Sequence, residues 1–554
     1  MTEFLHQLGY DPLAYWLFSG ATFLLWIVSA VLPWRPAGSA PQRLNTPLFF
    51  GIALLVAMAA FRWPAVFYFR AVNPDEPQFL AGAITMLARG GIWWNDATTS
   101  GPLVVLPLAL PRLAGLPVDF GTGRIVALLL AWGGAIFVYL ILKHAHGDRM
   151  ARLLVLPLAC WAMFQIFWDL VPYCSESAPL CLCALAAWLS TTAFRPDGRL
   201  RDRWRLAACG AVLGLLPFSK LQALPLGAAI GLAALVWIWR QPATEQPRLG
   251  RDLTWLLAGV AAGFGAMCLG LWRSGYAADF YQSYVVHNLI YAQARDLPWS
   301  ASAYVLSYLT EITWGFFAFH YGLLLLLIVG LRALRDAAWR PLLLGWLLFL
   351  GAYYAVLAPG RLYPHYLIFL TVPLGLLVGL QFGYLVQPTK RTRRTPAALW
   401  TLFLLAGVGV QVVDRIWDRH DLHKLAPAES PRTAASRLID QLKQPGDTLA
   451  VWGWRPELYV DTQLPQATRE AHTDGQLHAG SQRDYFRARF LADLRTSRPA
   501  FFVDTIGAGD FIRRDPAREG HESFRALDDF VRQEYALVSQ AEPIRVYLRR
   551  DRRR

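Results

Sequence analysis

The chain has 554 residues, 55% of them hydrophobic and 17% charged, against roughly 45–50% and about 25% in an ordinary soluble domain. The excess excludes a protein soluble throughout, because it is concentrated in apolar runs between Tyr15 and Val413, all but a short one at 206–219 of about 18 residues or more and so long enough to cross a ~30 Å hydrocarbon layer as a helix. The net charge of +14 does not argue for a nucleic-acid partner: most Lys and Arg before residue 400 sit in short loops between the runs, not on one stripe.

Taken in chain order, spans are predicted near 15–33, 47–67, 122–142, 151–171, 176–194, 206–219, 222–239, 253–272, 314–331, 341–358, 364–386 and 396–413. Residues 1–14 lack the basic segment of a cleaved signal peptide, so the first run is read as a retained span. Alternate loops differ in charge. One set, from Arg35 and Arg43 through Arg195–Arg205 to Lys390–Arg394, holds 20 basic residues, and the other holds 7. Basic loops mark the cytoplasmic side, which puts both termini outside. From Asp414 onward the composition is that of a soluble domain. Pro431–Leu442 reads as an amphipathic helix, Thr448–Trp454 and Ala500–Asp504 as strands, and Leu537–Gln540 with Ile544–Leu548 as a closing hairpin. The expected fold class is therefore an all-α polytopic membrane protein of about 12 transmembrane helices. It spans residues 1–413 with outer loops 68–121 and 273–313, and a small extracytoplasmic α/β domain follows at 414–554. All six cysteines lie in or beside spans, so no disulfide framework is expected in the tail.

The stretch richest in chemistry is Asn73-Pro74-Asp75-Glu76-Pro77-Gln78-Phe79, which opens a helical pattern in the first large outer loop. Two adjacent carboxylates at a helix start have a structural explanation, capping of free N–H groups. They also have a chemical one, in which a carboxylate at the water–lipid boundary takes a proton from a hydroxyl. Neighbouring helical residues point about 100° apart, so only one of the pair can face a substrate. No nucleotide-binding glycine loop, zinc-protease motif or serine nucleophile elbow is present.

With further features in order along the chain, this pair resembles the GT-C glycosyltransferases. That superfamily includes the protein O-mannosyltransferases, the lipid A aminoarabinose transferases and the lipid A core galacturonosyl transferases. Gly90-Gly91-Ile92-Trp93-Trp94-Asn95-Asp96 resembles the glycine, aromatic and acid after the loop helix, and Ser100-Gly101-Pro102-Leu103 stands where relatives carry a Pro-Leu motif. Glu176 opens a later span, Lys220 lies at a span end, and Arg361-Leu362-Tyr363-Pro364-His365-Tyr366 resembles a motif that opens a late span. Trp452-Gly453-Trp454-Arg455-Pro456-Glu457-Leu458-Tyr459 extends the likeness into the tail. The resemblance implies a polyprenyl-phosphate-sugar donor and Asp75 as general base with Glu76 as its orienting neighbour or cap; Glu176 is expected to orient the acceptor, to bind a divalent cation, or to cap the span that begins at Ser177. Lys220, Arg361, Tyr363, His365, Tyr366 and Asp96 are implied for donor phosphate and sugar. Relatives often place a Lys or other polar residue before the Pro-Leu motif. Here Ser100-Gly101 stands there, leaving phosphate contact to Lys220, Arg361, Arg273 or backbone N–H groups.

The function expected from the sequence is transfer of a sugar from that lipid donor to a hydroxyl of a glycan, lipid A or protein acceptor, on the outer face of a bacterial inner membrane. No cofactor is assigned, and a divalent cation is left open. Membrane lipids are expected partners and nucleic acid is not. The alternatives are a secondary transporter, against which the absence of internal repeats and the polar residues at one interface speak, and a non-catalytic membrane scaffold presenting its tail. Asp418, His420, Asp421 and His423 read as a solvated juncture ahead of a metal site.

Overall fold

The computed structural model describes residues 12–32, 45–68, 70–90, 100–164, 170–195, 199–241, 249–293, 295–312, 339–386, 409, 432–507, 510–541 and 544–552. Among these, seven helices are long and apolar enough to cross a membrane: Leu13–Val31, Pro47–Val66, Phe120–His146, Leu221–Trp239, Leu249–Arg273, Trp339–Leu357 and Pro364–Tyr384. They coincide with seven of the predicted spans. The run at 176–194 forms the shorter helix Ser177–Ala193. The run at 151–171 is interrupted at Val155, between the helices Asp148–Leu154 and Leu156–Phe164. The run at 206–219 ends its α-helix at Leu215 and closes in a 3-10 turn, Leu216–Phe218, because Pro217 brings no N–H to continue the ladder. The predicted spans 314–331 and, apart from Gly409, 396–413 lie outside the described residues.

The chain divides into two compact units. The first gathers Met1–Phe67, Ile125–Cys268 and Ala292–Ala426, and the second Tyr68–Arg124, Leu269–Tyr291 and Pro427–Arg554.

The first unit is a helical bundle in which buried polar side chains reach from one helix to another, as a hydrocarbon surround favours. Tyr15 donates its hydroxyl to the Phe61 carbonyl at 3.0 Å. The fully buried Arg152 donates to the Ser29 carbonyl at 2.9 Å, pairs with Asp148 at 2.7 Å and lies 5.5 Å over the Phe50 ring. Leu13, Leu17, Leu24, Leu232 and Leu257 stay exposed, which is the expected state of a lipid-facing side chain. The helices Arg203–Leu215 and Leu249–Arg273 meet through glycines spaced by four on each partner. A Cβ on Gly210 or Gly214 would run into the carbonyls of Leu256 and Val260, and one on Gly259 or Gly263 into those of Ala207 and Ala211. Small residues at this spacing let two membrane helices touch backbone to backbone. All six cysteines are free.

The second unit is built on a four-stranded sheet of order β1-β2-β4-β3: β1 is Leu449–Trp452, β2 Phe501–Asp504, β3 Tyr535–Ala541 and β4 Ile544–Arg549. β1 and β2 are parallel, and β4 runs antiparallel to both β2 and β3. The strands and the closing hairpin fall where the residue pattern predicts, and the predicted helix appears as Ala434–Leu442, capped by Thr433. β1 and the first three residues of β2 read as apolar runs because both faces are covered. On one face Leu449, Val451, Phe501 and Val503 share a buried cluster with Leu458, Tyr459 and Ala81. On the other, Ala450, Trp452 and Phe502 pack with Phe490, Leu494, Leu527 and Val531.

Ala81 belongs to the helix Glu76–Arg89, so the segment bearing the acidic pair is part of this unit. Thr85 donates to Gln466 Oε1 at 3.1 Å and accepts from its backbone N–H at 2.9 Å, and Arg89 donates to the Gln466 carbonyl at 3.0 Å. The segment 269–291 is tied in by Asp279, whose carboxylate pairs with Arg469 and accepts from the Tyr485 hydroxyl at 3.3 Å.

Candidate active site

The helix Glu76–Arg89 starts after Pro74 and ends at Gly90, whose φ of 72° closes it in a left-handed turn. Asp75 stands at its N-cap position but makes no capping hydrogen bond. Asn73 takes the Asp75 backbone N–H instead, at 2.7 Å. The Asp75 carboxylate, half-buried, accepts at Oδ1 from the side-chain amide of Gln78 at 2.9 Å. Glu76 points elsewhere and is completely buried, with its oxygens receiving Arg124 at 2.9 and 2.7 Å. Arg124 also donates to the carbonyls of Tyr68 and Arg70 and lies 5.6 Å over the Phe120 ring. The two adjacent acids thus have different environments. Glu76 anchors the helix start to Arg124 in a planar two-point pair, and Asp75 stays half-exposed with its Oδ1 accepting from the Gln78 amide.

A second constellation lies in the first unit. Glu176, at the N-cap position of the helix Ser177–Ala193, also makes no capping bond. Its buried carboxylate pairs with Lys220 and stands 3.9 Å from His365 Nε2. Lys220 sits in the extended break between two 3-10 turns, donates to Ser175 Oγ at 2.7 Å and lies 5.1 Å over the Tyr366 ring. Tyr363 stacks on His365 with centroids 5.6 Å apart, and Arg361 lies 6.0 Å over Tyr363 and 3.3 Å from Asp296. Five of the residues singled out from the sequence, Glu176, Lys220, Tyr363, His365 and Tyr366, therefore gather in one place with Arg361 at its edge. Capping explains neither Asp75 nor Glu176. The Lys220 charge is balanced by a buried carboxylate. The partner of Arg361, Asp296, has a side chain 56% exposed. Asp96 lies outside the described residues, as do Asp418, His420, Asp421 and His423. Among the described residues, the one group of His, Asp and Glu close enough to share an ion is Asp504, His521 and Glu522 in the tail. There the Arg545 guanidinium already reaches Asp504 at 2.6 Å and Glu522 at 2.9 Å, in the place a cation would take.

Three residues near Asp75 escaped the sequence reading. Gln78 stands in the stretch quoted around Asp75 but was given no role there, Arg124 carries no motif, and His472 lies nearly 400 positions from the residue it reaches. Only Gln78 had a usable signal, because it stands one helical turn after Asp75 and so on the same face.

Comparison with solved structures identifies the fold. The structure of ArnT from Cupriavidus metallidurans bound to undecaprenyl phosphate matches with a TM-score of 0.58 at 13% identity, covering 91% of this chain and 98% of that one. The same protein in the apo state matches with a TM-score of 0.55 at 14% identity and the same coverage. No family model and no curated protein sequence matches this chain. The chain therefore has the fold of these ArnT structures, and among its described residues seven helices are long and apolar enough to cross a membrane.

Proposed function

We propose that the protein transfers a sugar from a polyprenyl-phosphate donor to a hydroxyl of an envelope acceptor, with Asp75 as the general base. The observation that carries this reading is the state of Asp75: it opens a helix without capping it, and its half-exposed carboxylate is held by Gln78. The fold it shares with ArnT, whose crystal structure has undecaprenyl phosphate bound, supports a lipid-phosphate donor. The positive-inside asymmetry supports placing the helix Glu76–Arg89 and the tail on the outer face of a bacterial inner membrane.

In this mechanism Asp75 takes the proton of the acceptor hydroxyl as its oxygen attacks the anomeric carbon. The bond from that carbon to the phosphate oxygen breaks, and the electron pair leaves with the polyprenyl phosphate. Negative charge grows on the leaving phosphate, where a cation stabilises it. Arg361, at the edge of the cluster and 6.0 Å over the Tyr363 ring, is assigned that task. The Glu176–Lys220–His365 cluster with Tyr363 and Tyr366 is assigned to shaping the sugar site. One displacement inverts the anomeric centre.

The test is Asp75→Asn in a deletion strain, with mass spectrometry of envelope glycolipids and glycoproteins and NMR of the product linkage. The expected result is loss of one glycan at unchanged protein level, and an inverted linkage in the wild type. An unaffected glycan profile, or retention of configuration, would overturn the mechanism.

A further inference from the structure

We propose that His472, in the tail, is a positioning residue for Asp75 and acts on it through the side-chain amide of Gln78. The proposal rests on Asp75 being the base of the transfer above. It gives the tail a part in the chemistry that its sequence did not suggest.

The contacts form a directed chain. The backbone N–H of Asp474 points at His472 Nδ1 at 3.4 Å. His472 Nε2 stands 3.1 Å from Gln78 Oε1, and Gln78 Nε2 donates to Asp75 Oδ1 at 2.9 Å. A neutral imidazole carries one proton, and the nitrogen that accepts a hydrogen bond is not the one that bears it. With Nδ1 accepting from Asp474, the proton lies on Nε2 and is donated to the Gln78 carbonyl. That fixes which end of the Gln78 amide is which, and leaves its NH2 for the Asp75 carboxylate. If the amide flipped, its carbonyl would face the carboxylate and its NH2 would face the donor N–H of His472. Burial holds the His472 pKa down to about 4, so the ring stays neutral at envelope pH.

The imidazole is itself held by the tail. His472 is buried and lies flat on the Trp454 indole, with centroids 4.0 Å apart and planes 3° from parallel. The backbone N–H of Trp454 donates to Asp510 Oδ2 at 2.6 Å, and the other oxygen of that carboxylate accepts from the backbone N–H groups of Ile512 and Arg513 at 3.1 and 2.8 Å. Gly453 makes this bracket possible: its φ is 118°, and a Cβ there would meet Thr505 and Asp510. Arg513 pairs with Asp474, the residue that sets the tautomer.

The experiment uses the full chain in membranes of a deletion strain. It measures transfer to the endogenous acceptor by mass spectrometry, binding of undecaprenyl phosphate, and thermal stability. His472→Phe keeps a ring on Trp454 but removes the donor. It should slow transfer about 10- to 100-fold, as loss of orientation at a reacting group does, with undecaprenyl phosphate affinity and stability within about twofold and a few degrees of wild type. His472→Gln retains an N–H donor and should restore most of the rate. Gln78→Leu should match His472→Phe, and the double variant should lose no more than about twofold beyond either, because both act on one path. If His472→Phe accumulates poorly, Gln78→Leu carries the test from the other element. A wild-type rate in His472→Phe, a His472→Gln as slow as the phenylalanine variant, or multiplying losses in the double variant would each overturn the inference. An inactive Asp75→Asn beside active His472 and Gln78 variants sinks this proposal alone, whereas an active Asp75→Asn sinks the base assignment and this proposal with it.

Discussion

Replacing Arg124 by Met tests the division of labour between the two adjacent acids. Glu76 is completely buried, and Arg124 is the partner of both its oxygens, besides donating to the carbonyls of Tyr68 and Arg70. Arg124→Met strands a carboxylate and removes a donor from two carbonyls. Breaking one side of a buried ion pair costs about 3–5 kcal/mol, which is roughly a 10²- to 10⁴-fold rise in the opening equilibrium of the helix Glu76–Arg89. The double change Glu76→Leu with Arg124→Leu removes the stranded charge and should recover at least about half of that loss, since apolar replacement of a whole buried pair is often neutral. Hydrogen exchange of the peptide 76–89, measured by mass spectrometry on protein in lipid nanodiscs, reads the opening directly. Asp75→Asn should leave the same peptide's exchange close to wild type. If Arg124→Met leaves exchange unchanged, or the double variant is as open as the single one, Glu76 is not an anchor and the assignment of roles to the pair falls.

The other predictions address separate parts of the molecule. Lys220→Met should destabilise the first unit by about 3–5 kcal/mol by stranding the buried Glu176, and adding Glu176→Gln should restore most of it, read as the melting temperature in detergent. Gly210→Leu should abolish accumulation of folded protein, because its Cβ meets the Leu256 carbonyl, whereas Gly250→Ala, with open space around it, should not; fluorescence-detected gel filtration distinguishes the two. Asp461 is raised from 3.8 to about 6 by burial. A carboxyl with a raised folded pKa favours the folded state at low pH, and stability is lost as pH climbs from about 4 through 6. Asp461→Asn should therefore stabilise the second unit at pH 7.5 by at most about 3 kcal/mol, and by almost nothing at pH 4. Denaturant unfolding followed by exchange of tail peptides at the two pH values checks the sign, and a larger gain at pH 4 would refute it.

Local pattern alone gave the apolar spans, most of their positions, and the strands of the tail, but not the order in which the strands pair. An apolar run of sufficient length has few alternatives to a spanning helix. The strands Leu449–Trp452 and Phe501–Asp504 announce themselves as short apolar runs between turns. The acidic pair at Asp75-Glu76 was visible too, but not which acid does what: sequence gives the 100° between them and not the direction of either. Tertiary structure decided that by burying Glu76 against Arg124, 48 residues away, and leaving Asp75 to Gln78. It likewise decided that Glu176, Lys220 and His365 share one cluster, and that a tail histidine reaches the loop helix. Charge pairing and hydrogen bonding act over a few ångströms between residues that may stand hundreds of positions apart. No periodicity records them, and only the folded chain brings the partners within reach.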